Sequence, residues 1–223
     1  RLRTVTGVQT CALPIWAGAG GSIGAAAVAK ADADGYTLMF TTSALNMNAS
    51  MGRVPYDVVR DFAPIVIVAN SPLVFVTPNS LGTKSVGELV ALAKSKPGQL
   101  TYASAGNGSP AHFTAELFKR RTGTEAAHVP YKGAPEAMTD VMAGRISYLF
   151  ANAAVGLPQV QAGTVVALAI TSDRRSQLLP NVPTMTEAGI ADFNADQWLG
   201  FLAPAATPKP VVELISKVVR QAL

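Results

Sequence analysis

Ser104, Asn107, Ser109 and His112 fall within one short stretch, Ser104-Ala-Gly-Asn-Gly-Ser-Pro-Ala-His112, interleaved with Gly106 and Gly108. Hydroxyls, a carboxamide and open backbone amides suit an anion, whereas a serine three residues ahead of a histidine suggests a nucleophile beside its base. The two chemistries need different surroundings. A carboxylate or phosphate cradle needs glycines that admit a ligand to the backbone, next to the unpaired N–H groups and positive dipole end of a helix start. A hydrolytic α/β enzyme needs Ser109 facing the ring of His112. Local structure already accounts for Ser109 as an N-cap with Pro110 at the first helical position, and no G-x-S-x-G elbow surrounds it. The cradle leads, against the plainer alternative that Gly106–Ser109 is only a well-capped turn.

The elements that must hold this stretch read plainly. Leu100–Ala103 is a short apolar strand, and a helix follows from Ser109 to Thr122 before Gly123 stops it. The arrangement recurs at Tyr131-Lys132-Gly133, ahead of a helix over 135–143, and at Ala151–Ala154 with Asn152, after a strand over 146–150. In a parallel sheet such loops converge at the carboxyl ends of the strands. Lys132 would bring a point charge, Gly133 close backbone approach, Tyr131 a hydroxyl or stacking face, and Asn152 a donor and acceptor; each also reads as an ordinary structural residue.

Upstream, a Gly-rich entry leads to a helix from Ser22 to about Ala31. A strand from Tyr36 ends in the hydroxyl cluster Thr41-Thr42-Ser43. Asp57–Phe62 predicts a helical turn, and strands follow at 65–69 and 73–77. From Pro78 the chain alternates regularly: a Ser85/Glu88 capping box opens a helix, and further strands fall at 127–129 and 165–171. Such alternation predicts βαβ units in a largely parallel sheet. Thr184 caps a short helix that Gly189 stops, Asp196–Ala203 is a strand, and Thr207-Pro208 begins an amphipathic helix.

At 223 residues, 49% apolar and 14% charged, the chain has ample material for a core. No apolar run approaches the ~20 residues that span a bilayer. Val5–Ile15 has the sequence expected from translating a sequencing-library adapter, so residues 1–16 are set aside from the fold. The only cysteine, Cys11, falls in that tract and carries no redox information. The tract also holds two of the 18 basic residues and none of the 14 acidic ones, so the rest of the chain is nearly balanced. Nucleic-acid and membrane-surface binding are not indicated.

The two histidines, His112 and His128, cannot make a metal cluster without cysteine. Gly106-x-Gly108-x-x-Ala111 matches a dinucleotide fingerprint only loosely, because Glu125 precedes the next strand instead of ending it. No Walker motif or paired-carboxylate site is visible, and no cofactor is expected.

With these stretches laid out, residues 17–223 resemble the Bug or TctC-type substrate-binding proteins of tripartite tricarboxylate transporters. The matching features are the Gly18–Gly24 opening, Asp34-Gly-Tyr-Thr-Leu38, Asp61-Phe-Ala-Pro64, Tyr102–Ser109 with His112, and His128–Gly133. Arg174-Arg175, Leu179–Thr184, Glu187-Ala-Gly189, Trp198–Pro204 and Thr207-Pro208 complete them. The resemblance implies an α/β, two-lobed, type II-like periplasmic binding protein of the Venus-flytrap kind. It implies capture of a small carboxylate without catalysis, and delivery to the membrane components of a transporter. Residues 17–77 with 197–223 would form lobe 1, incomplete, and 78–196 lobe 2, with crossings near 73–78 and 197–203. Carried over by position, the ligand residues are Thr42 and Ser43 from one lobe, and Ser104, Gly106, Asn107, Ser109, Tyr131, Lys132, Gly133 and Asn152 from the other. The family's first strand and its Pro/Gly-rich ligand loop have no counterpart, and the chain stops within its last helix, so truncation at both ends is expected.

Overall fold

The computed structural model describes residues 19–52, 54–193 and 195–223. The adapter-like tract, Cys11 and Gly18 lie outside the described residues. Two sheets organise the fold. The smaller has three strands in the order β1 (Met39–Thr42), β8 (Gln197–Pro204), β2 (Phe62–Ser71), all antiparallel. The larger has five, in the order β5 (Ala126–Pro130), β4 (Leu100–Ser104), β6 (Tyr148–Asn152), β3 (Leu73–Pro78), β7 (Val165–Ile170).

In the larger sheet β4 runs parallel to both β5 and β6, but β3 is antiparallel to both neighbours. The expectation of a largely parallel sheet holds for four strands and fails for β3. Its run Leu-Val-Phe-Val-Thr-Pro is buried on both faces, and such a run carries no signal of direction. Residues 73–77, grouped with the first lobe on sequence, therefore pair within the larger sheet. The chain leaves the smaller sheet at Ser71-Pro72 and returns to it at Asp196-Gln197.

The helices follow the capping chemistry. α3 (Val86–Ser95) begins where Ser85 Oγ accepts from Glu88 N at 3.1 Å and Glu88 Oε2 accepts from Lys84 N at 2.7 Å. α4 (Pro110–Thr122), α5 (Ala134–Met142) and α6 (Ala153–Gln161) follow β4, β5 and β6 respectively. α1 (Ser22–Ala29) and α2 (Ala44–Ser50) attend the smaller sheet, and α7 (Lys209–Ala222) lies against β2. Two expectations fail locally. Thr184 and Glu187 make the reciprocal bonds of a capping box, Glu187 N to Thr184 Oγ1 at 3.1 Å and Thr184 N to Glu187 Oε2 at 2.8 Å, yet only turns follow before Gly189. Tyr36 is exposed in a turn that Asp34 Oδ1 holds, so β1 starts at Met39.

The cores stay apart. Phe75, fully buried in β3, stacks on Phe150 at 4.1 Å between ring centroids and takes Phe118 and Tyr148 edge-on. The cluster around it draws only on residues 73–195. On the smaller sheet, Met39, Leu45, Tyr56, Phe62 and Leu202 cover one face; Ile65, Val66 and Ala203 pack against Val212, Ile215 and Val219 of α7 on the other. Among the described residues no buried apolar cluster mixes the two sheets.

Candidate functional site

Because β5, β4 and β6 are adjacent and point the same way, the starts of α5, α4 and α6 come to one end of the larger sheet. The Gly106–Ser109 bend is the centre of that end. Gly106 (φ 111°) and Gly108 (φ 77°) occupy the left-handed region that glycine adopts without strain, and Ser109 N donates to Gly106 O at 3.2 Å. The neighbouring loop is tied in by Tyr131 N, which donates to Ser104 O at 3.0 Å.

Ser104 is fully buried beneath the bend, and its hydroxyl is used up. It donates to Gly106 O at 3.0 Å, accepts from Gly106 N at 3.1 Å and meets His128 Nε2 at 2.7 Å, so the ring must present Nε2–H. Ser104 supports the bend and has no bonding capacity left for a ligand. Ser109 is the N-cap of α4, its Oγ accepting from His112 N at 3.4 Å. That bond uses the backbone of His112. The imidazole turns elsewhere: Nδ1 accepts from Gly108 N at 3.2 Å, and the ring stacks on His128 at 4.2 Å. The Ser109/His112 pair expected of a hydrolytic enzyme is therefore not assembled.

Behind the bend lies a polar-aromatic stack that sequence reasoning missed. Tyr102 stacks on His128 at 4.8 Å, donates its hydroxyl to Glu116 Oε1 and carries Lys119 Nζ 5.4 Å above its ring. Lys119 also pairs with Glu116 at 2.7 Å. Burial pushes the His128 imidazole down to about 4, with His112 beside it adding to the effect, and burial lowers His112 as well. For Glu116 burial works against ionisation, but the bonds from Lys119 and Tyr102 outweigh it and hold the carboxyl low. No spacing rule links residues 102, 112, 116 and 128 across two strands and a helix.

The other expected residues are distributed around this end. Asn107 is exposed at the tip of the bend and Lys132 is exposed in its loop. Tyr131 donates to Asp140 Oδ2 at 2.6 Å, and burial with that bond pushes the phenol up to about 12. Gly133 is the N-cap of α5 and offers no side chain, whereas Asn152 caps α6 by accepting from Val155 N at 3.0 Å. From the smaller-sheet side, Thr42 Oγ1 accepts from Ala44 N at 3.2 Å, and Ser43 is buried with no hydrogen-bond partner for its hydroxyl among the described residues.

The bend faces the smaller sheet's helices. A Cβ on Gly20 would lie 2.5 Å from Asn107 O, and one on Gly108 would lie 1.7 Å from Asn48 Oδ1. The surfaces that meet here are backbone and one carboxamide, not an apolar plug. A cavity of about 320 Å³ elsewhere, lined by Leu45, Val58, Phe62, Ile65, Trp198 and Phe201 on the smaller sheet, has no charged lining and does not suit a carboxylate.

A profile described as "Tripartite tricarboxylate transporter family receptor" matches residues 7–223. The chain is 38% identical over 210 residues to protein BugT of Bordetella pertussis, covering 93% of this chain and 64% of BugT. The chain thus spans a little under two thirds of the length of the curated relatives it matches. Among solved structures, Rpa4515 of R. palustris with adipate superposes with a TM-score of 0.85 at 33% identity, covering 91% of this chain and 68% of that one. MatC of Rhodopseudomonas palustris with bound malate gives 0.87 at 28% identity, covering 92% and 70%. On the profile match over nearly the whole chain, the chain belongs to the tripartite tricarboxylate transporter receptor family.

Proposed function

We propose that this chain captures a small carboxylate between its two sheets and belongs to a periplasmic receptor that delivers the ligand to the membrane components of a tripartite transporter. The observation that carries the reading is the convergence of three helix starts on one end of β5, β4 and β6. Two of these starts are capped by their own side chains, Ser109 and Asn152. The third, at α5, is headed by Gly133, and because Pro135 has no N–H it leaves the amides of Ala134 and Glu136 to an outside acceptor. Lys132 beside it adds a positive charge, and Asn107 stands at the rim. Thr42 and Ser43 face the same end from the smaller-sheet side in this reading. The carboxylates named with two relatives, adipate and malate, support the ligand class. No helix among the described residues is long and apolar enough to cross a membrane, as suits a receptor handing its ligand to separate membrane subunits.

Isothermal titration of the chain with adipate, malate and citrate tests the reading, with benzylamine as a cationic control. Saturable heat with at least one carboxylate, weakened tenfold or more by Gly133→Pro, is expected. Heat with benzylamine alone, or none across the panel from a chain that melts cooperatively, overturns it.

A further inference from the structure

Asn48 is a buried polar side chain in α2, on the smaller-sheet side, and the expected ligand residues do not include it. Its Nδ2 donates to Gly20 O at 2.9 Å, which fixes the plane of the carboxamide and turns Oδ1 outward. The position that Oδ1 takes is the one a Cβ on Gly108 would fill. Gly108 belongs to the other sheet's bend, so a hydrogen on its Cα points at the amide oxygen, a weak but directional contact. The same seam brings Asn107 O close to Gly20, and a Cβ on Gly106 would lie 3.3 Å from Gly20 N. Three glycines at positive φ, two from one side and one from the other, thus let two backbones touch around one carboxamide.

We infer that Asn48 is the closure latch of the cleft: it seats on Gly108 when the two halves come together and so positions the bend that holds the ligand. Gly108 is then gripped from both sides, by His112 Nδ1 within its own half and by Asn48 across the seam. Because the seam joins no apolar clusters among the described residues, it separates without exposing a core, and a single polar contact has leverage over the balance between open and closed forms. The link to ligand affinity rests on the carboxylate reading above; the seating of Asn48 on Gly108 does not.

The test is a mutant cycle on the full chain carrying Cys11→Ser, with spin labels at Lys30→Cys and Glu136→Cys and inter-label distances read by pulsed electron resonance without ligand. Gly108→Ala places a methyl where Oδ1 sits, so the closed-to-open ratio is expected to fall tenfold or more. In the Asn48→Ala background the space is free, and Gly108→Ala is expected to change the ratio less than threefold. Asn48→Ala alone, which keeps both backbones unstrained, is expected to lower the ratio measurably while the circular dichroism spectrum stays unchanged. An equal effect of Gly108→Ala in both backgrounds, or an unchanged distance distribution in Asn48→Ala, overturns the latch. Adipate titration of the same four proteins separates the two readings: binding that follows the closed fraction supports both, and a cycle that holds while no variant binds adipate or malate leaves the latch standing and removes the carboxylate assignment.

Discussion

His128 and His112 are the two side chains whose ionisation bears most directly on the bend. Both rings are kept neutral by burial, below the ordinary histidine range, so the unfolded chain takes up protons that the folded chain refuses. Groups of opposite sign share their surroundings: Glu116 and Lys119 on α4, with the phenols of Tyr102 on β4 and Tyr148 on β6. The sign follows. Stability from these rings is complete above about pH 6.5, the ordinary histidine value, and is lost as pH falls toward about 4, where His128 titrates in the folded chain. Urea denaturation between pH 7.5 and 4.5 should show the decline, and His128→Gln, which keeps an N–H donor for Ser104, should flatten it. Protonation of His112 Nδ1 also removes the acceptor of Gly108 N, so carboxylate affinity is expected to fall as pH drops below the ordinary histidine range.

Helix starts and strand junctions bear the next layer of the design. Ser109→Ala removes a buried cap from α4 and should cost about 1 kcal/mol, read as a lowered thermal midpoint. Thr171 has a larger task, because it joins the two chain crossings: its Oγ1 accepts from Leu73 N at 2.8 Å and donates to Asp196 Oδ1 at 3.2 Å, while Thr171 N donates to Leu73 O at 3.0 Å. Thr171→Val keeps the shape but strands the Leu73 amide, so a loss of about 1–3 kcal/mol and faster hydrogen exchange at Leu73 are expected. These examples mark what local sequence can express. Ser85 with Glu88, Ser109 with Pro110, and Gly123 as a helix stop are signals between near neighbours, and the structure agrees with them. The direction of β3, the stacking of His112 on His128 and the meeting of Asn48 with Gly108 depend on tertiary contacts that no local pattern encodes. Thr184 shows the converse: a complete capping box formed without a helix, because the next residues pair with β7 and turn at Gly189 instead.

As a whole the molecule is two cores of unequal independence. The larger sheet and its helices come from one unbroken segment, residues 73–195, so a fragment spanning 72–196 is expected to fold alone, with a cooperative melt and the amide protection of β3, β4 and β6 retained. Within it Phe75→Ala should cost about 3–5 kcal/mol, measured by denaturant unfolding, since the ring is fully enclosed by aromatic neighbours. The smaller sheet has no such autonomy. Its middle strand is β8, and β1 and β2 pair with β8 alone and never with each other. β1 and β2 therefore gain their partner in this sheet only when Gln197–Pro204 joins them, and that strand lies beyond the whole segment that builds the larger sheet. Until β8 docks, β1 and β2 are unpaired strands that carry Phe40 and Ile67 on open edges, so the smaller sheet is the half that a late-arriving strand must complete.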